Sequence, residues 1–176
     1  MDFVATLNRI AGFLEERKWR YALVGGLALS AYGGARTTLD LDLAVDGDSQ
    51  DELIRFMESE GFETLYRSSG YSNHLHSEER WGRVDFIYVR GATRETLFDS
   101  AATHGIPGGL EVPVAKPEHL VAMKVLAMKN DPGRTFQELA DIRVLLQYPG
   151  VDLEEVRQSF EKRGLAKRFD ELKDTL

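Results

Sequence analysis

The segment Thr38-Leu39-Asp40-Leu41-Asp42-Leu43-Ala44-Val45 alternates strictly, and no other stretch constrains the chain as much. Side chains of a strand point alternately to its two faces, so Leu39, Leu41, Leu43 and Val45 are expected in the core. Asp40 and Asp42 then leave the opposite face together, their Cα atoms roughly 7 Å apart at ~3.3 Å per residue. Aspartate is disfavoured in strands, and like charges on one face repel. A hard divalent cation offsets that cost, because Mg²⁺ prefers carboxylate oxygens together with phosphate and water. The ordinary alternative is an edge strand with two solvated aspartates, and Asp-x-Asp alone is too short to decide.

A second strand supplies context. In Val84-Asp85-Phe86-Ile87-Tyr88-Val89, Asp85 stands among apolar and aromatic neighbours, as at a sheet centre. An ionised carboxylate there needs a cation or strong donors. A third carboxylate beside the first two is what two-metal phosphoryl chemistry uses. The alternative is a salt bridge to Arg80 or Arg83.

Around these strands the periodicity alternates between helix and sheet. Phe3, Val4, Leu7, Ile10, Ala11 and Leu14 fall at helical spacing, predicting an opening helix over 3–18. Tyr21–Val24 reads as a short buried strand broken by Gly25-Gly26. A helical run follows from Leu27 to Tyr32 and ends at Gly33-Gly34. A helix over 49–60 precedes strands at Phe62–Tyr66, Ser72–Ser77 and Arg83–Val89, with Tyr71 to Tyr88 reading as a hairpin that turns near Glu78–Gly82. Gly105 to Pro113 reads as a loop. From Pro117 the chain is helical, with breaks at Asn130–Gly133, Pro149–Gly150 and Gly164. We therefore expect an α/β (more narrowly α+β) core over 1–115 and a helical region over 116–176 packed on it.

With 176 residues, 43% hydrophobic and 29% charged, the composition is that of an ordinary globular chain. No cysteine is present, which excludes disulfides, thiolate zinc sites and cysteine nucleophiles. The start Met1-Asp2-Phe3-Val4 lacks the pattern of a signal peptide, and no apolar stretch approaches the ~20 residues of a membrane helix, so a cytoplasmic protein without a membrane partner is expected. A formal charge of −7 argues against broad nucleic-acid binding and leaves an anionic small molecule open.

A strand, Gly25-Gly26 and then a helix can bind an anion through backbone N–H groups, although an ordinary tight turn reads the same. Neither a P-loop nor a Gly-x-Gly-x-x-Gly opening a helix occurs. The order Gly25-Gly26, short helix, Arg36-x-Thr38, Asp40-x-Asp42 and later Asp85 resembles the nucleotidyltransferase superfamily, whose core is the DNA polymerase beta palm. Gly25-Gly26-Leu27-Ala28-Leu29 through Arg36-Thr37-Thr38-Leu39-Asp40-Leu41-Asp42 is similar to the AbiEii-type nucleotidyltransferases, many of them toxins of toxin–antitoxin pairs. The resemblance implies that Asp40 and Asp42 hold Mg²⁺ (or Mn²⁺) and an NTP, with Asp85 joining them and activating an acceptor hydroxyl. It also implies nucleotide contacts from Gly25, Gly26, Ser30, Arg36 and Lys124, and a cognate antitoxin or toxin protein as a partner. Many relatives have Gly-Ser where this chain has Gly25-Gly26, with Ser30 one turn on as a substitute hydroxyl.

Lys124 lies between Leu120, Val121, Ala127 and Met128 on its helix, so its ammonium needs an anion or a path to water. The resemblance favours a nucleotide phosphate; the alternative is an ion pair with Asp141. Relatives tend to carry Arg, then Lys-Asp, then Asp on the next helix. Here Arg134 and Asp141 match, and Gln137-Glu138 stands at the Lys-Asp position. His74 and His76 alternate on one strand face, and we read them as polar residues facing a cleft or solvent rather than as metal ligands. Lys162, Arg163, Lys167 and Arg168 read as a solvated helical face, and Trp19 and Trp81 as packing residues.

The expected reaction is transfer of an NMP from an NTP to an acceptor hydroxyl. An RNA end, a protein side chain and a small alcohol all stay open as acceptors. A catalytically silent relative that binds nucleotide or a partner, and a metal-dependent phosphodiesterase, are the rival readings.

Overall fold

The computed structural model describes residues 1–35 and 37–174, and the chain forms two compact units, Met1–Ala28 with Arg36–Ala115, and Leu29–Ala35 with Lys116–Leu176. The first unit is built on a mixed sheet of seven strands among the described residues. In chain order these are β1 (Tyr21–Leu23), β2 (Asp40–Asp46), β3 (Phe62–Arg67), β4 (Tyr71–His76), β5 (Arg83–Val89), β6 (Ala102–Ile106) and β7 (Leu110–Val114). They lie in the order β3-β4-β5-β2-β1-β7-β6. Helix α1 (Phe3–Glu16) starts where the Asp2 carboxylate accepts the Ala5 N–H at 3.0 Å, and it buries Leu7, Ile10, Ala11 and Leu14. The remaining helices of this unit are the single turn α2 (Gly25–Ala28), α3 (Gln50–Ser59) and α4 (Gly91–Asp99).

The central pair decides the site. β2 runs antiparallel to β1 and parallel to β5. Leu41, Leu43 and Val45 are wholly buried, as the alternation expects. Leu39 is not: the strand begins at Asp40, and Leu39 sits in the bend before it, 82% exposed. Alternation gives the facing of residues inside a strand and says nothing of where the strand stops. β4 and β5 form the expected hairpin, closed by Trp81 N–H to Glu78 O at 3.1 Å and His76 N–H to Gly82 O at 3.0 Å.

Gly105 to Pro113 is not a loop but most of a second hairpin, β6–β7, in which Ile106, Val112 and Val114 are buried. The glycines responsible for that reading belong to its turn, where Gly108 and Gly109 take φ of +95° and +78°. β7 joins β1 only at Leu23↔Val114, so Pro113, without an N–H, lies just outside that pairing. Helix α4 buries only Leu97 and has no periodicity to announce it.

The second unit holds the short 3-10 turn Leu29–Tyr32 and helices α5 (Pro117–Asn130), α6 (Thr135–Leu146), α7 (Leu153–Glu161) and α8 (Ala166–Lys173). Leu120, Val121, Val125, Ile142, Leu145, Val156, Phe160 and Phe169 make its core, and Tyr32 meets Tyr148 edge-on at 4.8 Å. Pro117 opens α5, and Asp152 caps α7 by accepting the Glu154 and Glu155 N–H groups. No helix among the described residues is long and apolar enough to cross a membrane.

Candidate active site

Parallel pairing of β2 and β5 sets Asp42 directly beside Asp85 and Asp40 beside Arg83. Register partners share a face, so Asp40, Asp42 and Asp85 project together, each offering an oxygen within 4.8 Å of the others'. Asp40 and Asp42 are half-buried; Asp85, at the centre of the sheet, is only 7% exposed.

Donors around the cluster orient two of these carboxylates. Thr38 Oγ1, two residues before the strand's first carboxylate, donates to Asp40 Oδ1 at 2.7 Å. Asp85 is held at both oxygens, Oδ1 by Arg83 Nε at 3.0 Å and Oδ2 by the Tyr71 hydroxyl at 2.7 Å. The Arg83 ion pair, offered above as an alternative to a metal role, is therefore present beside the other two carboxylates. Burial, reinforced by the hydrogen bond to Asp85, pushes the Tyr71 phenol up to about 12, so it remains a donor at neutral pH. Tyr71 escapes a linear reading because it reaches Asp85 diagonally across the hairpin, from opposite Ile87. The signal was the hairpin register.

The glycine turn belongs to the same cluster. Gly25 has φ +67°, and a Cβ there would overlap the Asp42 carboxylate. Val24 N–H donates to Asp42 O at 3.1 Å, which draws the turn against β2. Glycine is thus required at 25 by backbone angle and by space, and the turn lies against the acidic strand because nothing projects from it. Gly26 follows in α2, buried.

The other expected site residues do not belong to the described part of the first unit. Arg36 lies outside the described residues. Ser30 belongs to the 3-10 turn of the second unit. Lys124 also belongs to that unit, where its Nζ contacts Asp141 Oδ2 at 2.6 Å and Glu138 Oε2 at 3.1 Å. This is the ion-pair alternative, enlarged by Glu138, the carboxylate at the position where relatives carry aspartate. Arg134 Nη2 stands 2.6 Å from Glu138 Oε1, an ion contact without a directed hydrogen bond. The side chains of Lys124, Glu138 and Asp141 are 8%, 2% and 8% exposed.

His74 faces neither cleft nor solvent. It is fully buried on the sheet face away from Asp85, with Nδ1 at 3.1 Å from Thr64 Oγ1 and Nε2 at 2.9 Å from Ser72 Oγ. Burial holds its pKa down at about 4, so it is a neutral core residue. His76 Nδ1 accepts the Glu78 N–H at 3.0 Å and serves the hairpin turn.

Among solved structures, the chain is similar to the antibiotic-resistance factor ANT(2'')-Ia at 18% identity and TM-score 0.71, covering 99% of this chain and 98% of that one. It is similar to the lincosamide antibiotic adenylyltransferase LnuA at 18% identity and TM-score 0.55, covering 81% and 96%. An antigenic nucleotidyltransferase-like protein from Paracoccidioides brasiliensis matches at 18% identity and TM-score 0.57, covering 98% and 91%. At these identities the likeness is one of fold. Among curated proteins, no sequence matches the chain. The family model described as "Nucleotidyl transferase AbiEii toxin, Type IV TA system" matches residues 7–175, and the chain belongs to this nucleotidyltransferase family.

Proposed function

We propose that the protein transfers a nucleoside monophosphate from an NTP to an acceptor hydroxyl, with Asp40, Asp42 and Asp85 holding Mg²⁺ or Mn²⁺. The observation that carries this reading is the meeting of three carboxylates within 4.8 Å on two neighbouring parallel strands. An all-oxygen, anionic donor set fits a hard divalent ion and suits neither copper nor a thiolate metal. Such an ion, when bound, neutralises charge on the triphosphate and lowers the pKa of the acceptor hydroxyl.

The chain's own groups have separable tasks. Asp40 and Asp42 would hold the ion that accompanies the triphosphate, with Thr38 orienting Asp40. Gly25 and Gly26 offer backbone N–H groups beside Asp42 to a phosphate. Asp85, held by Tyr71 and Arg83, takes the acceptor proton as the hydroxyl oxygen bonds to the α-phosphorus. The bond from the α-phosphorus to the bridging oxygen breaks, and pyrophosphate leaves. Positioning and charge account for most of the rate.

The acceptors named for the structural neighbours are antibiotics, and the family description names a toxin, so an antibiotic-like alcohol and a cellular macromolecule are the two arms of the test. Incubation with α-labelled NTPs, Mg²⁺ and RNA, protein or small-alcohol acceptors should label one class and release pyrophosphate. Cleavage of a phosphodiester without any NTP, or no label in any acceptor, would count against the reading. A toxin role further predicts that expression slows growth and that Asp40→Asn or Asp42→Asn relieves it.

A further inference from the structure

Arg83 completes the acidic cluster as the fourth corner of a square. The parallel register pairs Asp40 with Arg83 and Asp42 with Asp85, so two residues on each strand share one face. Arg83 Nε lies 3.0 Å from Asp85 Oδ1, and its side chain is 42% exposed while that of Asp85 is 10% exposed. The cation is thus on the open side of the carboxylate it binds. Among the described residues, three carboxylates and one guanidinium meet at the square.

A guanidinium at this corner affects a divalent ion in two ways. It uses lone-pair capacity on Asp85 Oδ1 that an ion would otherwise take, and it repels a second cation a few ångströms away. An NTP reverses the balance, because its phosphate oxygens attract both the ion and the guanidinium. Building on the metal reading above, we propose that Arg83 is a positioning residue that serves as a built-in counter-cation on Asp85. It holds Asp85 in place without nucleotide and weakens capture of free divalent ions, so that the ion is taken up together with the NTP.

The test is a titration of the full chain with Mn²⁺ alone, without nucleotide, following free Mn²⁺ by electron paramagnetic resonance. Arg83→Gln should bind Mn²⁺ about tenfold more tightly than the parent, the scale on which one nearby charge shifts a carboxylate's proton affinity. Arg83→Lys, which keeps the charge, should stay near the parent. Tyr71→Phe removes a neutral donor from the other oxygen and should also stay near the parent. Asp42→Asn should abolish the site, which identifies the bound ion with the cluster. A structural role alone would leave Mn²⁺ affinity unchanged or reduced in Arg83→Gln, and that result overturns the proposal, as does an equal gain in Arg83→Lys. If neither the parent nor Arg83→Gln shows an Asp42-dependent Mn²⁺ site, the metal reading fails and this proposal with it.

Discussion

The molecule contains two clusters of charge, and they are built on opposite rules. In the helical unit, Lys124 meets Glu138 and Asp141 with all three side chains almost wholly sealed from water, and Arg134 adds a second cation on Glu138 from a side chain that is 56% exposed. On the sheet, among the described residues, three carboxylates meet Arg83, and Asp40 and Asp42 stay partly open. A sealed cluster must balance, because an unpaired charge in a low-dielectric interior costs several kcal/mol. An open cluster shares its charge with water and is not held to that balance. The first arrangement joins α5 to α6; the second is the cluster that we propose as a site for cations and phosphates.

That contrast can be broken most sharply at Lys124. Replacing it with methionine leaves Glu138 and Asp141 buried without their shared cation, and we expect a loss of about 3–5 kcal/mol of stability. Chemical denaturation would measure it, and a near-neutral result would mean that the carboxylates simply take up protons. The next effect belongs to the reaction. Asp85→Asn should keep measurable Mg–NTP affinity, since Asp40 and Asp42 remain, yet lose transfer by at least ~100-fold, the scale of a general base. Unimpaired transfer would remove Asp85 from the chemistry. The smallest effect runs the other way: Asp40→Asn, at the half-buried first position of β2, relieves like-charge repulsion with Asp42 and should raise metal-free stability by up to ~1 kcal/mol. Loss of stability there would mean that Asp40 is needed for folding, like the members of the sealed cluster.

Much of this was legible before any coordinates, for physical reasons that also mark the limit. Period-two alternation placed Leu41, Leu43 and Val45 inside and put Asp40 and Asp42 on one face, because strand geometry leaves no other arrangement. The same pattern put Leu39 inside, where it is exposed, since the end of a strand is set by pairing and not by periodicity. Thr38 and Glu138 stand in the motifs but carry no role there, and Tyr71 does not stand in them at all, because the contacts of Tyr71 and Glu138 depend on register and on a neighbouring helix that a linear motif does not record. Gly25 reads in the sequence as a phosphate contact or a tight turn, and the structure adds a duty that the motif does not show, making room for Asp42. The β6–β7 hairpin was missed because glycine marks a turn equally well inside a hairpin and in a loop.

The central claim is that Asp40 and Asp42 create a nucleotide site by binding the ion that accompanies it. Calorimetric titration of the parent, Asp40→Asn and Asp42→Asn with each Mg–NTP tests that claim directly, with circular dichroism confirming that all three are folded. The account predicts binding to the parent with at least one nucleotide, and none detectable in either variant. Binding of Mg–NTP to a folded Asp40→Asn or Asp42→Asn at the parent's affinity would contradict it and place the nucleotide elsewhere.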